Sequence, residues 1–376
     1  MIALQTAHLF DGEASLGPRT VLIESGVVID ILHQPPPGVT VQRLGRESIL
    51  APGFVDLQVN GGAGVLFNDD PTPAGLRRIA AAHARLGTTS FLATLVSGSR
   101  DLRRQATESV VLALAQSVPG LRGIHIEGPF IAPARRGIHP EQALSRMSAD
   151  DVADLTGPFA APRLITLAPD IVPAEQIRAL AEAGAIVFAG HTDASCEAVQ
   201  AAFEAGARGA THLFNAMSQF GSRAPGAVGA VLDHPTAYSS IIADGHHVHP
   251  AAIRVAWRAL GAARLFLISD AMPSVGAEAP DFMLAGRRIS LVGGRLTDDA
   301  GTLAGAHLSM ADAVRFAVAR VGIPLTDALR MATATPADCL GLRGRGRIAG
   351  GHKADMVALD PDLRVTAIWL DGEPVG

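Results

Sequence analysis

Gly123-Ile124-His125-Ile126-Glu127-Gly128-Pro129-Phe130 is an apolar run that halts on a carboxylate, a glycine and a proline. Short runs of this kind, bounded by turn residues, predict a buried strand whose polar residue marks its C-terminal end. The pattern recurs on both sides of this stretch. Strands are expected at 54–59, 89–95, 123–127, 164–168, 186–189, 210–214, 239–243 and 265–269. Amphipathic helices are expected between or after them at 73–86, 101–117, 174–183, 196–205, 250–260 and 310–321. Alternation of this kind over about 250 residues predicts an α/β fold of the (β/α)8 TIM-like barrel type. The alternative, an open doubly wound sheet, would carry a glycine-rich phosphate turn after its first strand, and Gly61-Gly62-Ala63-Gly64 lacks that spacing.

The flanks read differently. Val21-Leu22-Ile23 and its neighbours, broken by Pro35-Pro36-Pro37-Gly38, alternate β-like runs with turns, and so do 355–359 and 365–370. Residues 1–50 together with 343–376 are therefore expected to form a small β-sandwich domain, and 51–342 the barrel.

Composition narrows the function. Hydrophobic residues make up 48% of the 376 and charged residues 18%, enough for a large core. A net charge of -5 argues against a general nucleic-acid binder but leaves room for an anionic small molecule in a local pocket. Cys196 and Cys339 are far apart and fit no metal spacing, which points to a reducing, cytoplasmic setting. The first residues lack a signal-peptide pattern, and no apolar run is long enough for a membrane span. Lys353 is the only lysine, in a turn before a strand, so Schiff-base chemistry or a carboxylated-lysine metal bridge is not expected.

Active sites of such barrels lie at the C-terminal strand ends. Those ends carry Gln58 and Asn60, Glu127, His191, His212, Asp244 with His246, His247 and His249, and Asp270. Any one could be a turn cap or an ordinary hydrogen-bonded histidine. Several on one rim are harder to explain that way, because burying them costs several kcal/mol each unless a partner or metal offsets it. Two imidazoles and a carboxylate suit zinc with a position open for water, and a nearby aspartate can take the water's proton. His125 should face the same way as Glu127 by strand alternation, but it is not assigned as a ligand. The His246–His249 cluster is irregularly spaced and fits anion binding or solvent exposure as well as metal.

These residues carry a resemblance. Pro52-Gly53-Phe54-Val55-Asp56-Leu57-Gln58-Val59-Asn60-Gly61, 123–130, Gly190-His191-Thr192, Thr211-His212-Leu213-Phe214-Asn215-Ala216-Met217, 243–248 and Ser269-Asp270-Ala271 occur in order. In this the chain resembles the amidohydrolase superfamily and, within it, the N-acetylglucosamine-6-phosphate deacetylases, over essentially its whole length. The resemblance implies one divalent ion on Glu127, His191 and His212, zinc foremost, with Fe2+, Co2+ or Mn2+ as alternatives. Gln58 and Asn60 replace the usual first-strand histidines, which implies that a second metal position is lost and that Gln58 bonds the water. It further implies Asp270 as general base and acid, and His139 as the group that polarises the acetyl carbonyl. Ile138, Leu303, Ala304 and Gly305 would line the acetyl pocket, and Asn215, Ala216, Arg223 and His247 would contact sugar or phosphate. A homodimer sharing its phosphate sites is implied as well. The competing expectations are the galactosamine epimer, a cyclic amidase, and a barrel kept only for binding.

Overall fold

The computed structural model describes residues 1–375. Each expected barrel strand forms, because its apolar side chains are buried on both faces, as a parallel sheet covered by helices requires. The strands are β1 (Phe54–Val59), β2 (Thr88–Val96), β3 (Leu121–Glu127), β4 (Arg163–Leu167), β5 (Ile186–Ala189), β6 (Gly209–Ala210), β7 (Tyr238–Ile242) and β8 (Leu265–Ile268). They run parallel in sequential order from β1 to β8, with registers such as Ile124↔Arg163 and Leu164↔Ile186. A parallel bridge from Val59 to Ala271 brings the two end strands together, so the sheet closes nearly into a barrel. At the same seam Asp56 of β1 accepts hydrogen bonds from the hydroxyl and the backbone N–H of Ser269.

The expected 210–214 strand is shorter than its apolar pattern suggests. It ends at Ala210, because His212 and Phe214 adopt left-handed backbone angles that no strand continues through. The expected 310–321 helix is α-helical only over Met310–Phe316 and finishes in a π turn at Ala317–Val321. Four helices were not expected: Ala149–Thr156, Gly226–Asp233, Leu325–Ala332 and Ala334–Leu340. Also unexpected is a three-stranded antiparallel flap, Phe282–Leu284, Arg287–Val292 and Arg295–Thr297, inserted after β8.

The terminal strands join in one continuous eight-stranded sheet. Met356–Leu359 pairs antiparallel with Ile49–Pro52, which pairs parallel with Ile2–Phe10, so both ends of the chain build it. Its own core includes Leu4, Val21, Leu50, Met356 and Trp369. Lys353 bridges to Val27 in this region, its side chain about half exposed and 3.8 Å from the Asp371 carboxylate. Among the described residues, no helix is long and apolar enough to cross a membrane.

Candidate active site

At the C-terminal mouth of the barrel a cavity of about 490 Å3 collects most of the polar strand-end residues. Glu127 ends β3 and is buried. His191 and His212 follow β5 and β6 and are buried beside it. Both histidines, and Asp270 after β8, have positive φ, at 48°, 36° and 49°. Left-handed backbone in residues other than glycine costs on the order of 1 kcal/mol or more each, and such strain concentrates at functional sites. Here it turns each side chain into the mouth at the first residue or two after its strand.

The groups meet closely. Glu127 Oε1 lies 3.1 Å from His212 Nε2 and 3.3 Å from His191 Nε2, and the two Nε2 atoms are 3.0 Å apart. His191 Nδ1 lies 2.9 Å from the carbonyl oxygen of Arg135, which can only accept, so Nδ1 carries the proton and Nε2 presents a lone pair. A lone pair facing a carboxylate and a second imidazole nitrogen is repulsive unless a cation or proton lies among them. His212 has no such orienting partner on Nδ1 among the described residues.

His139 is set the other way. Its Nδ1 accepts from the backbone N–H of Ser97 at 3.4 Å and lies 2.7 Å from the Ser97 hydroxyl. That leaves the proton on Nε2, which stands 3.7 Å from Glu127 Oε2. Burial foremost, then His191, pushes His139 down to about 3, so it is a neutral donor at neutral pH. Ligand atoms of Glu127, His139 and His191 all lie within 4.8 Å of one another, a buried group compatible with a metal site. His212 adds a fourth candidate. The proton positions separate them: His191 offers a lone pair, whereas His139 offers a hydrogen.

Gln58 and Asn60 sit beneath this group. Gln58 Nε2 donates to Glu127 Oε1 at 2.9 Å and to Asp270 Oδ1 at 3.0 Å, and Asn60 Nδ2 donates to the same Oδ1 at 2.7 Å. Asp270 is thus pinned through one oxygen, and its Oδ2 has no hydrogen-bond partner among the described residues. Burial, then the charge of Glu127, raises Asp270 to about 6. Burial would also raise Glu127, but its close contacts with His191 and His212 outweigh it and hold the group well below the usual carboxylate range. Two carboxylates with opposite shifts suit two roles, ligand and base.

Ile138, His139, Asn60, Asn215, Ala216, His247, Leu303 and Gly305 line the cavity. Ala304 lies behind it in an apolar cluster with Met272, Leu284 and Leu296, and Gln58 lies below. Arg223 is exposed and outside the lining. His125 is buried with both ring nitrogens engaged, by the hydroxyls of Thr94 (3.1 Å) and Thr166 (2.8 Å), so neither is left for an ion. His247 is held by Asp244 at 2.6 Å. Three contributors were missed: Ser97, and the lining residues Arg135 and Arg295. Ser97 follows β2 directly, so the strand-end rule would have found it; Arg295 sits on the unexpected flap.

A nearly closed parallel barrel with buried carboxylates and imidazoles at its C-terminal mouth defines a hydrolase of the metal-dependent barrel class. The chain belongs to the amidohydrolase family, whose sequence profile matches residues 49–375. It is 43% identical over 324 residues to an N-acetylgalactosamine-6-phosphate deacetylase from Shewanella sp. (strain ANA-3), covering 86% of this chain and 82% of that protein. The crystal structure of N-acetylglucosamine-6-phosphate deacetylase from Pasteurella multocida superimposes with a TM-score of 0.96 at 33% identity, covering 99% of both chains. A mutant of the Mycobacterium smegmatis N-acetyl-D-glucosamine-6-phosphate deacetylase, in complex with N-acetyl-D-glucosamine-6-phosphate, gives a TM-score of 0.92 at 31% identity, covering 100% of this chain and 99% of that one.

Proposed function

We propose that this protein hydrolyses the acetamide of N-acetyl-D-glucosamine 6-phosphate to D-glucosamine 6-phosphate and acetate. One divalent ion per subunit would be held by Glu127, His191 and His212. The observation that carries this reading is the opposed protonation of two adjacent imidazoles, a lone pair at His191 and a hydrogen at His139, around one buried carboxylate. Bound there, the ion would supply Lewis-acid activation of a water and of the acetyl carbonyl; zinc suits the donor set, with Fe2+, Co2+ and Mn2+ as alternatives. The amide hydrogens of Gln58 reach both Glu127 and Asp270, filling with neutral donors the gap that a second cation would need.

The residues divide the work. Asp270, held by Gln58 and Asn60, uses its free Oδ2 to take a proton from the attacking water and to return one to the departing amine. His139 donates from Nε2 to the oxygen that gains charge. Ile138, Leu303 and Gly305 shape the acetyl end, and Asn215, Ala216 and His247 receive the sugar phosphate. We take the protein to be a cytoplasmic homodimer whose exposed Arg223 serves the neighbouring subunit's phosphate; its cysteines are free.

A second reading, the galactosamine epimer, is favoured by the 43% identical Shewanella relative. Acetate release from both N-acetylhexosamine 6-phosphates, measured beside elemental analysis, tests both. Faster turnover of the glucosamine compound at about one ion per chain is expected. Turnover of neither compound by ion-loaded protein would sink the proposal, and two tightly held ions would sink its single-ion part.

A further inference from the structure

The flap after β8 is tied to the site by its own small apolar cluster. Leu284, Ile289 and Leu296 pack with Leu66, Met272 and Ala304, and Ile138 lies against them. Met272 is two residues beyond Asp270 and Ile138 precedes His139, so the flap rests on the segments that carry both groups. Its tip is a two-residue turn, Gly293-Gly294, closed by the pair Val292↔Arg295. Both glycines have positive φ, 58° and 83°, as the tight hairpin turn demands. A Cβ on Gly294 would lie 3.1 Å from His246 Nε2. The tip therefore touches the loop that presents His247 to the cavity.

Arg295 is the first residue after that turn. It lines the cavity and is exposed to solvent, and its side chain makes no ion pair or hydrogen bond among the described residues. Its neighbours on the flap are already committed: Arg287 to Asp298 at 3.4 Å and Arg288 to Asp281 at 2.9 Å. The other arginine lining the cavity, Arg135, is engaged with Asp193 at 2.8 Å. Nearby Asp244 is spent on His247. Of the two lining arginines, Arg295 alone has its guanidinium uncommitted, on the side where His247 enters.

We propose that Arg295 is the substrate's anion-binding cation within its own subunit, receiving the 6-phosphate opposite His247 and setting the preference for phosphorylated over neutral amino sugars. This rests on the deacetylase reading for the identity of the substrate, though not for the binding of phosphate. A planar, permanently charged guanidinium on a rigid hairpin suits two-pronged contact with phosphate oxygens better than an ammonium would.

The test uses ion-loaded full-length protein and the variants Arg295→Ala, Arg295→Lys and Arg295→Glu. Arg295→Ala should raise KM for N-acetylglucosamine 6-phosphate by roughly 10- to 100-fold, with kcat within about threefold, Arg295→Lys should recover part of it, and Arg295→Glu should be worse than alanine. The ratio of kcat/KM for phosphorylated to neutral N-acetylglucosamine should fall at least about tenfold in Arg295→Ala. Equal losses on both substrates, or an unchanged KM in all three variants, would overturn the proposal. Calorimetric binding of inorganic phosphate to wild type and Arg295→Ala separates this inference from the deacetylase reading. Should wild type hydrolyse neither sugar phosphate, weaker phosphate binding by the variant still supports the anion site, and equal binding overturns it.

Discussion

The imidazoles of His139 and His191 lie 4.5 Å apart centre to centre, yet their backbone partners assign them opposite chemistry. The carbonyl of Arg135 holds the His191 proton on Nδ1 and leaves a lone pair on Nε2, whereas the amide of Ser97 leaves the His139 hydrogen on Nε2. Asp270 is fixed with comparable economy. In Asp270→Asn the side-chain oxygen can still accept from Gln58 and Asn60, so the site should keep its shape and its ion. Only the proton acceptor is lost, and kcat should fall by roughly 10²- to 10⁴-fold. Undiminished turnover would remove Asp270 from its role. Because burial raises this carboxyl to about 6, the base form disappears as pH falls through that value, and a bound cation can only lower it. The acid limb of kcat/KM should therefore have its midpoint at or below about 6; a midpoint above 7 would point to another base. Glu127, His191, His212 and Asp270 were legible as polar residues ending apolar runs. The protons on His139 and His191 were not, since they depend on backbone groups distant in sequence, and neither was the left-handed backbone at three of those positions.

Strands β1 and β8 meet at the one place where barrel neighbours are not consecutive in the chain, and the seam holds a buried carboxylate. Asp56 accepts from the N–H groups of Gln58 and Ser269, both at 3.2 Å, and from the Ser269 hydroxyl. Burial nonetheless dominates and raises its pKa to about 7. An acid whose folded pKa exceeds its unfolded value binds its proton more tightly when folded. The contribution of Asp56 to stability should then decline as pH rises from about 4 to about 7, by at most about 1.4 kcal/mol per pH unit. Asp56→Asn keeps an oxygen for the two N–H donors and can donate to Ser269, so its urea midpoint should lack that contribution, gaining on wild type as pH rises and matching or exceeding it at pH 8. A variant with the same slope, or one much weaker at pH 8, would contradict the account. At this scale the sequence was readable where periodicity is strong, as in β1, β5 and the helix Pro250–Leu260, whose bounds match expectation. It was silent about the flap, whose short strands mix arginine and apolar residues without clean alternation.

Across the whole molecule, cohesion comes from two sources: a core running through barrel and helices, and a sheet stitched from both chain ends. The (β/α)8 plan was legible because eight apolar runs separated by helices admit few arrangements, and the joining of both chain ends in one β domain was expected as well; the individual strand pairings within it, such as Leu50 with Ala358, were not. An ion on Glu127, His191 and His212 would draw three separate strand ends together. Removing it, verified by elemental analysis, should lower the melting temperature, and restoring zinc at about 100 times its Kd should return roughly 2.7 kcal/mol. An unchanged melting temperature would mean that no ion is held in the folded state at this mouth.

The same terminal sheet holds the chain's single lysine. Lys353, half exposed and loosely paired with Asp371, offers one side-chain amine per molecule, and it does not line the cavity. Apart from the α-amine at Met1, amine-directed coupling at a pH high enough to deprotonate lysine would attach a surface or a fluorophore here, away from the cavity lining. Arginine carries nearly all the remaining positive charge and does not react, so with the α-amine blocked a preparation labelled at Lys353 should be close to uniform in orientation.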